Sequence, residues 1–214
     1  MKLNHPKLTK DALEPADIAH LKAEASLEQI AISHVDASGK QLSNLSLDEA
    51  ILERVLLTEA RLEKLSFTDV DLKACDLSAA RCSESSLIRV HITGGRMTGV
   101  DFSRCTIKDV VFEDCKLDMA NFRFAKLTRV QFINCQLSET DFQAAELTDI
   151  EFQASHLEKT EFGQCKIKNV DARTSQLLDI RGWQYLRGLK IDSTQLVTVA
   201  PQLAAELGVK IEDD

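Results

Sequence analysis

The side chains with the most chemical potential in this sequence are its carboxylates and cysteines. The chain of 214 residues carries 34 Asp and Glu against 26 Lys and Arg, for a net charge of −8, and it has six cysteines. Regularly spaced carboxylates could act in general acid–base catalysis or present an anionic surface to a partner. Cysteines could bind a metal, form disulfides or act as nucleophiles. Which of these functions applies depends on where the fold places them.

The spacing of cysteines and histidines does not indicate a metal site. The sequence has no C-x-x-C and no H-x-x-x-H motif, and its histidines are far apart. Cys115 and Cys135 are separated by twenty residues, so a disulfide is conceivable if the chain coils with that period. The segment from Gly94 to Gly99 does not match G-x-G-x-x-G, so it does not predict phosphate binding. We therefore predict no metal and no cofactor.

A five-residue period from Leu42 to Leu177 indicates the secondary structure that positions the carboxylates and cysteines. Leu, Ile, Phe or Met returns at almost every fifth position, and a mostly small, uncharged residue stands two positions earlier. A period of five fits neither an amphipathic helix nor an ordinary strand. In each five-residue unit, the small residue, the outward residue after it and the large residue form a three-residue β-strand step. The two polar residues that follow form a corner. Stacked coils of such steps would pair their backbone N–H and C=O groups.

A longer period of twenty residues predicts a coil with four sides. Val70, Val90 and Val110 belong to one such column of β-branched residues. In the second half of the repeat, Phe occupies every second large position, so rings should stack on rings. The Phe residues predicted to form the core are Phe102, Phe112, Phe122, Phe132, Phe142, Phe152 and Phe162.

Pentads in this region resemble the A-[DN]-[LF]-x-x consensus of the pentapeptide repeat family. Examples are Ala120-Asn121-Phe122-Arg123-Phe124 and Thr140-Asp141-Phe142-Gln143-Ala144. The resemblance covers roughly two thirds of the chain in one register. It implies an all-β solenoid, specifically a right-handed quadrilateral parallel β-helix.

Composition divides the chain into three parts. We predict an N-terminal cap at 1–26, the β-helix at 27–180 and a C-terminal capping segment with a helix at 181–214. In the cap, Pro15 near the first turn predicts a short helix that covers the open first coil. Residues 27–40 hold the five-residue period poorly, which predicts an irregular first coil with a loop at 36–39.

The C-terminal part has its own helix signals. Asp192 or Ser193 can N-cap a helix that ends before Gly208. A stripe on that helix should cover the last coil, and a short strand should follow. The predicted stripe residues are Leu196, Val199, Leu203 and Leu207, and the predicted strand is Val209, Lys210 and Ile211.

Function is expected on the outer faces, because a β-helix buries two residues of each five. One column holds Asp101, Asn121, Asp141 and Glu161, and the opposite one holds Val111, Gln131, Glu151 and Asp171. A third face is mixed to basic. Flat outer faces lack the concavity that catalysis needs, so we predict that the chain is not an enzyme. An enzyme of the kind found on other β-helices is the least favoured alternative.

The resemblance also bears on partners. Some pentapeptide repeat proteins are thought to offer a rod-like acidic surface to a type II topoisomerase in place of duplex DNA. This implies a protein partner with a basic surface, possible DNA mimicry and partner-binding residues on the acidic columns, namely Asp101, Asp141, Glu161, Glu151 and Asp171. Separately, the outward apolar residues Phe124 and Ile133 would mark a partner or self-association patch if such residues cluster. The basic face and the 26 Lys and Arg residues weigh against full mimicry.

The remaining predictions concern assembly and environment. The negative net charge of −8 argues against direct nucleic-acid or membrane binding. No signal peptide or membrane span is apparent, so a cytoplasmic protein is expected. A structural module that self-associates, for instance as a homodimer through the C-terminal cap, is the alternative to a scaffold for another protein.

Overall fold

The computed structural model describes residues 2–210. Within them the chain forms a right-handed quadrilateral β-helix of about 8 turns. One parallel sheet of 9 strands follows the chain order, and Leu47 pairs with Phe67, Phe67 with Leu87 and so on in steps of twenty. The predicted fold class is therefore confirmed. The strands are β1 (Glu14–Ala16), β2 (Ser26–Ser33), β3 (Ser46–Glu53), β4 (Ser66–Lys73), β5 (Ser86–Thr93), β6 (Thr106–Glu113), β7 (Lys126–Ile133), β8 (Glu146–Gln153) and β9 (Lys166–Asp171).

The corners are made by residues in the left-handed backbone region. In β6 the chain turns at Asp109, whose φ is 56°, and the same conformation recurs at nearly every fifth residue. Most of these corner residues are not glycine, although L residues adopt this region at an energetic disadvantage. Hydrogen bonds between coils hold them there, as Met119 N–H donates to Ser138 O at 2.8 Å.

The interior is a ladder of stacked rings and aliphatic side chains. Phe112 stacks on Phe132 with ring centroids 5.0 Å apart, and Phe122 meets Phe132 edge to face at 6.2 Å. All seven predicted Phe residues are buried. Offset-stacked and edge-to-face rings at these separations attract one another beyond their area burial. The interior is thus continuous along the axis.

The N-terminal part differs from its prediction. No helix includes Pro15. A single 3₁₀ turn at Lys10–Ala12 is followed by β1, which pairs Pro15 with Ala31. Proline is tolerated there because β1 is the first strand of the sheet and needs no donor on its free side.

The first coil is also regular, not irregular as its sequence predicts. Ala37 is buried, and Gly39 N–H donates to Thr58 O at 2.8 Å, as the matching residues do in later coils. Gly39, with a φ of 67°, is an ordinary corner residue. The weak five-residue pattern at 27–40 reflects Ala37 in a large position, while the twenty-residue register of β2 with β3 is the same as in later coils.

The C-terminal part closes the solenoid with one helix. Helix α1 (Ser193–Glu206) begins after Asp192, which forms a capping box with Gln195, and Gly208 follows its end at a φ of 71°. The second 3₁₀ turn, Trp183–Tyr185, precedes it, and Trp183 is buried. Trp183 Nε1 donates to Gln202 Oε1 at 3.1 Å, which fixes the helix over the last coil.

The predicted stripe and tail strand are only partly present. Val199 is buried and Leu203 packs against the core, but Leu196 is 49% and Leu207 80% exposed. The first turn of the helix is joined to the last coil by Gln195 Nε2, which donates to Ala172 O and Ser175 O, but the side chains of Leu196 and Leu207 point away from the coil end. Val209 and Lys210 belong to no strand, and Ile211 lies outside the described residues.

Candidate protein-binding surfaces

The first acidic column consists of Asp101, Asn121, Asp141 and Glu161, each paired with the next across adjacent coils. Asp101 Oδ1 accepts from the N–H of Ser103 at 3.0 Å and from Asn121 Nδ2 at 2.9 Å. The side chains are half-buried at their bases and reach solvent. The column is therefore a row of ordered carboxylates on an open side of the solenoid.

The ends of this column are basic. Arg81 pairs with Asp101 in the coil before it, and Arg181 pairs with Glu161 in the coil after it. Beside the column, Arg123 Nη1 lies 3.5 Å from Asp141 Oδ2. The negative surface is thus confined to the middle coils.

The second acidic column lies on the opposite side and is less open. Glu151 accepts from Gln131 Nε2 at 2.7 Å and from Gln153 Nε2 at 2.9 Å. The guanidinium of Arg173 donates to Asp171, which lowers the pKa of that carboxyl despite partial burial. Val111, the first member, is only 6% exposed although its side chain points outward. Of the predicted binding residues on this side, Glu151 and Asp171 are half-buried.

The structure does not bring Phe124 and Ile133 together. They lie nine residues apart in a coil of twenty, so nearly half a turn separates them. Phe124 is 51% exposed, with the guanidinium carbons of Arg104 and Arg123 at 5.5 and 5.9 Å from the centre of its ring. Ile133 is half-buried. A single apolar patch that contains both residues is therefore excluded, and Phe124 belongs to a small Arg-flanked site of its own.

A third charged column was missed from the sequence as a unit. It runs along the corner where the long strands turn, and we call it the corner column: Glu49, Asp69, Arg89, Asp109, Arg129, Asp149 and Asn169. Arg89 Nε donates to Asp69 Oδ1 at 2.6 Å, and Arg129 Nε donates to Asp109 Oδ1 at 2.6 Å. Alternation of Asp and Arg at twenty-residue intervals is the sequence signal that could have revealed it.

The corner column is covered by the leading segment, residues 2–9. Lys7 N–H donates to Asp69 Oδ1 at 2.9 Å, and Asn4 contacts Asp109 through its backbone N at 3.4 Å and its Nδ2 at 3.2 Å. With these contacts Asp69 is 6% and Asp109 4% exposed. Residues 2–9 therefore run along the outside of the solenoid, a position not predicted from the sequence, while β1 lies against the first full coil through its pairing with β2.

The partners of these two carboxylates stabilise their charged forms. Hydrogen bonds from Arg129 lower the pKa of Asp109; burial opposes this, and Asn4 adds to it. Burial raises the pKa of Asp69, but the hydrogen bonds from Arg89 and Lys7 N–H outweigh it, so its pKa is lowered as well. Both residues are therefore anions at neutral pH.

The cysteines are small buried residues of the interior. All six are free thiols, so Cys115 and Cys135 form no disulfide, and Cys135 Sγ donates to Phe112 O at 3.3 Å. Burial raises the pKa of Cys75 to about 11 and the pKa of Cys105 to about 12. A thiol with such a pKa is a poor nucleophile at neutral pH.

Concave surfaces are few and shallow. An open depression of about 440 Å³ beside the C-terminal cap is lined by Glu151, Asp171, Arg173 and Asp192 among others, and its Asp171 is already ion-paired. Among residues 2–210, no three or more His, Cys, Asp or Glu side chains are grouped so that they could hold a metal ion. In the same part of the chain, no helix has the length and apolar character needed to cross a membrane.

Comparisons with known proteins agree with this geometry. The profile of the family described as "Pentapeptide repeat region" matches residues 65–132 and 125–181, which together span more than half of the chain. A comparison with curated protein sequences finds no significant match.

Two solved structures are similar to this chain, and the first of them shows the same fold. One is HetL, a pentapeptide repeat protein involved in heterocyst differentiation regulation in the cyanobacterium Nostoc sp. strain PCC 7120, with a TM-score of 0.53 and 17% identity over 76% of this chain and 85% of that one. Another is a trypsin-treated form of QnrB1, a plasmid-mediated fluoroquinolone resistance protein, with a TM-score of 0.46 and 20% identity over 93% and 96% of the two chains. From its repeat, its four-sided coil and the matching family profile, this chain belongs to the pentapeptide repeat family.

Proposed function

We propose that this chain is a non-catalytic, cytoplasmic protein-binding solenoid whose partner presents a basic surface. The observation that carries the proposal is the first acidic column, in which Asp101, Asp141 and Glu161 are ordered and open to solvent. A rigid row of anions loses little conformational entropy on binding and attracts a positive partner over a distance. The lack of a deep polar cleft in the described residues favours binding over catalysis.

The size of the acidic surface suggests the kind of partner. Successive coils are about 4.8 Å apart, and Asn121 interrupts the carboxylates, so the charge density is well below that of duplex DNA. Arg81 and Arg181 limit the surface at both ends. Such a short acidic stretch on a straight rod suits a basic groove in a protein. We propose the DNA-binding groove of a type II topoisomerase as the partner site, with the rod as a partial mimic of DNA.

A supercoiling assay tests this proposal. Increasing amounts of the full chain are added to purified DNA gyrase, and the loss of supercoiling is measured. We expect inhibition by the wild-type chain and at least tenfold weaker inhibition by the triple variant Asp101→Asn/Asp141→Asn/Glu161→Gln. The matched control Glu28→Gln/Glu59→Gln/Glu139→Gln removes three charges from other exposed positions and should behave as the wild type. Unchanged supercoiling at a large excess of wild-type chain would reject the topoisomerase as partner.

A second candidate function is self-association through the C-terminal cap. It is favoured by apolar side chains that the cap leaves in solvent: Leu196 is 49%, Val197 77% and Leu207 80% exposed. Burying such side chains in a symmetric interface would stabilise a dimer. In this case the chain would serve as a structural module.

Sedimentation velocity distinguishes the two candidates. Leu196→Ser/Val197→Ser should convert a dimer to a monomer, while Leu56→Ser, an exposed leucine in the N-terminal half, should not. Surface substitutions are preferable to truncation at 182, because Trp183 and Val199 are buried and their loss would uncover the last coil. A wild-type chain that is monomeric at high concentration would exclude self-association.

A further inference from the structure

The leading segment lies on the corner column as a ligand would. It is extended and runs parallel to the solenoid axis, with Lys7 at Asp69 and Asn4 at Asp109. These two carboxylates are forty residues apart, which is two coils. Arg89 is the corner residue between these two carboxylates, and its guanidinium is bonded to Asp69. The leading segment therefore passes from one carboxylate to the other without an obstacle.

The spacing of the carboxylates matches that of an extended chain. Two coils of parallel strands rise about 9.6 Å, and three residues of an extended chain span about 10 Å. The backbone N–H groups of Asn4 and Lys7, three residues apart, therefore meet alternate acidic residues of the column, as in an extended polyproline II chain with three residues per turn. Since Lys7 and, in one of its two contacts, Asn4 use the backbone N–H, most of this recognition does not depend on side-chain identity. Another extended segment could make the same bonds.

Charge favours a basic segment. Residues 2–9 contain Lys2, His5 and Lys7 and no acidic residue, whereas the column from Asp69 to Asp149 holds three Asp and two Arg and so carries one excess negative charge. A basic chain in this position therefore reduces the excess negative charge around the corner.

The segment is attached weakly enough to be exchanged. Lys2, Asn4, His5 and Lys7 are exposed, and only Leu3, Pro6 and Leu8 are half-buried. When the segment leaves, Asp69 keeps its bonds from Arg89 and Asp109 keeps its bonds from Arg129. No buried charge is left without a partner, so the solenoid does not need the segment to stay folded. Segments with so few buried contacts open at low free energy.

The corner column also extends beyond Asp109, where Asn4 makes its contacts. Two coils beyond Asp109 lies Asp149, which accepts from Asn169 Nδ2 at 2.7 Å and repeats the same spacing. A longer occupant could therefore engage a third carboxylate.

We propose that the corner column from Asp69 to Asp149 is a binding groove for an extended, lysine-containing segment of a partner protein, and that residues 2–9 occupy it until that partner displaces them. This surface is distinct from the first acidic column, and its occupant binds as a single extended strand through backbone N–H groups. The leading segment therefore acts as an internal competitor.

Fluorescence anisotropy with a labelled, end-blocked peptide of residues 2–10 tests the groove in the full chain. In the variant Asn4→Pro/Lys7→Pro the segment loses both backbone donors, so the peptide should bind at least tenfold more tightly than to the wild type. The matched control Asn4→Ala/Lys7→Ala loses the same side chains but keeps the donors, and should bind the peptide as weakly as the wild type. No binding to the proline variant would overturn the proposal.

The carboxylates are tested in the same background. Adding Asp69→Asn/Asp109→Asn should weaken peptide binding at least tenfold, because each Asn has one acceptor oxygen where Arg and the backbone N–H need two. Asp101→Asn/Asp141→Asn removes two charges from the first acidic column and should leave binding unchanged. Equal loss in both variants would indicate general charge attraction and overturn the groove.

Hydrogen exchange supplies a readout that does not depend on substitutions. In the wild-type chain, saturating peptide should speed amide exchange in residues 3–8 at least tenfold as the segment is released. Unchanged exchange with bound peptide would place the peptide elsewhere and reject the groove. If sedimentation shows a wild-type dimer and a monomeric Asn4→Pro/Lys7→Pro variant, the occupant is the segment of a second copy, and the assignment to another protein is wrong.

Discussion

Two columns of outward charged residues repeat every twenty residues on this solenoid but differ in how far their carboxylates are open to solvent. In the corner column Asp69 and Asp109 are almost fully buried, whereas Asp101 and Asp141 in the first acidic column remain half-exposed. The corner carboxylates sit at left-handed residues, receive guanidinium groups from the neighbouring coil and lie under the leading segment. The carboxylates of the first acidic column lie in the middle of one side of the coil, where Asp101 accepts hydrogen bonds from a side-chain amide and a backbone N–H. An outward acidic residue in a solenoid is therefore not by itself a binding residue.

The largest contrast should come from removing the arginine of each row. Arg129→Ala leaves Asp109 nearly buried without its ion pair and should lower the free energy of unfolding by about 3 kcal/mol. Arg123→Ala removes the exposed partner of Asp141 and should lower it by less than about 1 kcal/mol. Urea unfolding measures both. Equal effects would mean that the corner pair is as solvated as the exposed one.

Acid should remove the contribution of the corner carboxylates. Because the pKa of Asp109 is lowered from its ordinary value of 3.8, its ion pair stabilises the fold fully above that value and loses this effect as the pH falls through the lowered pKa. Asp109→Asn should therefore be about 2 kcal/mol less stable than the wild type at pH 7, and the gap should close below pH ~4. Urea unfolding across pH gives the difference. A gap that persists at pH ~2 would assign the effect to packing.

A smaller effect is expected from completing the first acidic column. Asn121→Asp replaces the amide that donates to Asp101 Oδ1 at 2.9 Å with a like charge and should lower the free energy of unfolding by about 0.5–1 kcal/mol. The same change should strengthen binding to a basic partner, because the row becomes continuous. Thermal unfolding at low and high salt checks the first effect, and salt should reduce it. A loss that does not depend on salt would contradict a charge origin.

The smallest effect concerns the corner backbone. Ala154 is exposed with a φ of 49°, so Ala154→Gly should raise the free energy of unfolding by about 0.5 kcal/mol by relieving the left-handed conformation. Ala200→Gly, an exposed alanine inside α1, should instead lower it by about 1 kcal/mol. Both are measured by chemical denaturation. A loss at Ala154 would show that the corners carry no relievable backbone strain.

The repeat explains how much of the fold the sequence could predict. A large residue at each fifth position, from Leu42 to Leu177, fixes which side chains enter the tube, and twenty-residue columns such as Phe112, Phe132 and Phe152 fix the four sides. The left-handed backbone conformation of most corners could not be predicted, because residues such as Met119 and Phe124 do not favour that conformation as glycine does. Coil-to-coil hydrogen bonds impose it, and these exist only in the folded chain.

The candidate binding surfaces could be predicted from the sequence to different extents. The columns follow from the twenty-residue period, so the pairing of Asp101 with Asn121 could be predicted from the sequence. The burial of Asp109 could not, since it depends on a non-repeating segment that folds back across several coils. The same holds for Pro15, whose place in a strand is set by pairing with β2 and not by its neighbours in sequence.

The amino-acid sequence by itself determined the tube, with its period, its four sides and its apolar filling, because each of these arises from contacts that the repeat places at fixed intervals. It also determined the helical C-terminal cap, through the local signals of Asp192 and Gly208 at the two ends of the helix. Only the tertiary structure decided which outer charges stay open to a partner. That depends on where the leading segment lies, and its position is set by two carboxylates, Asp69 and Asp109, that are distant from it in sequence and adjacent to it in space.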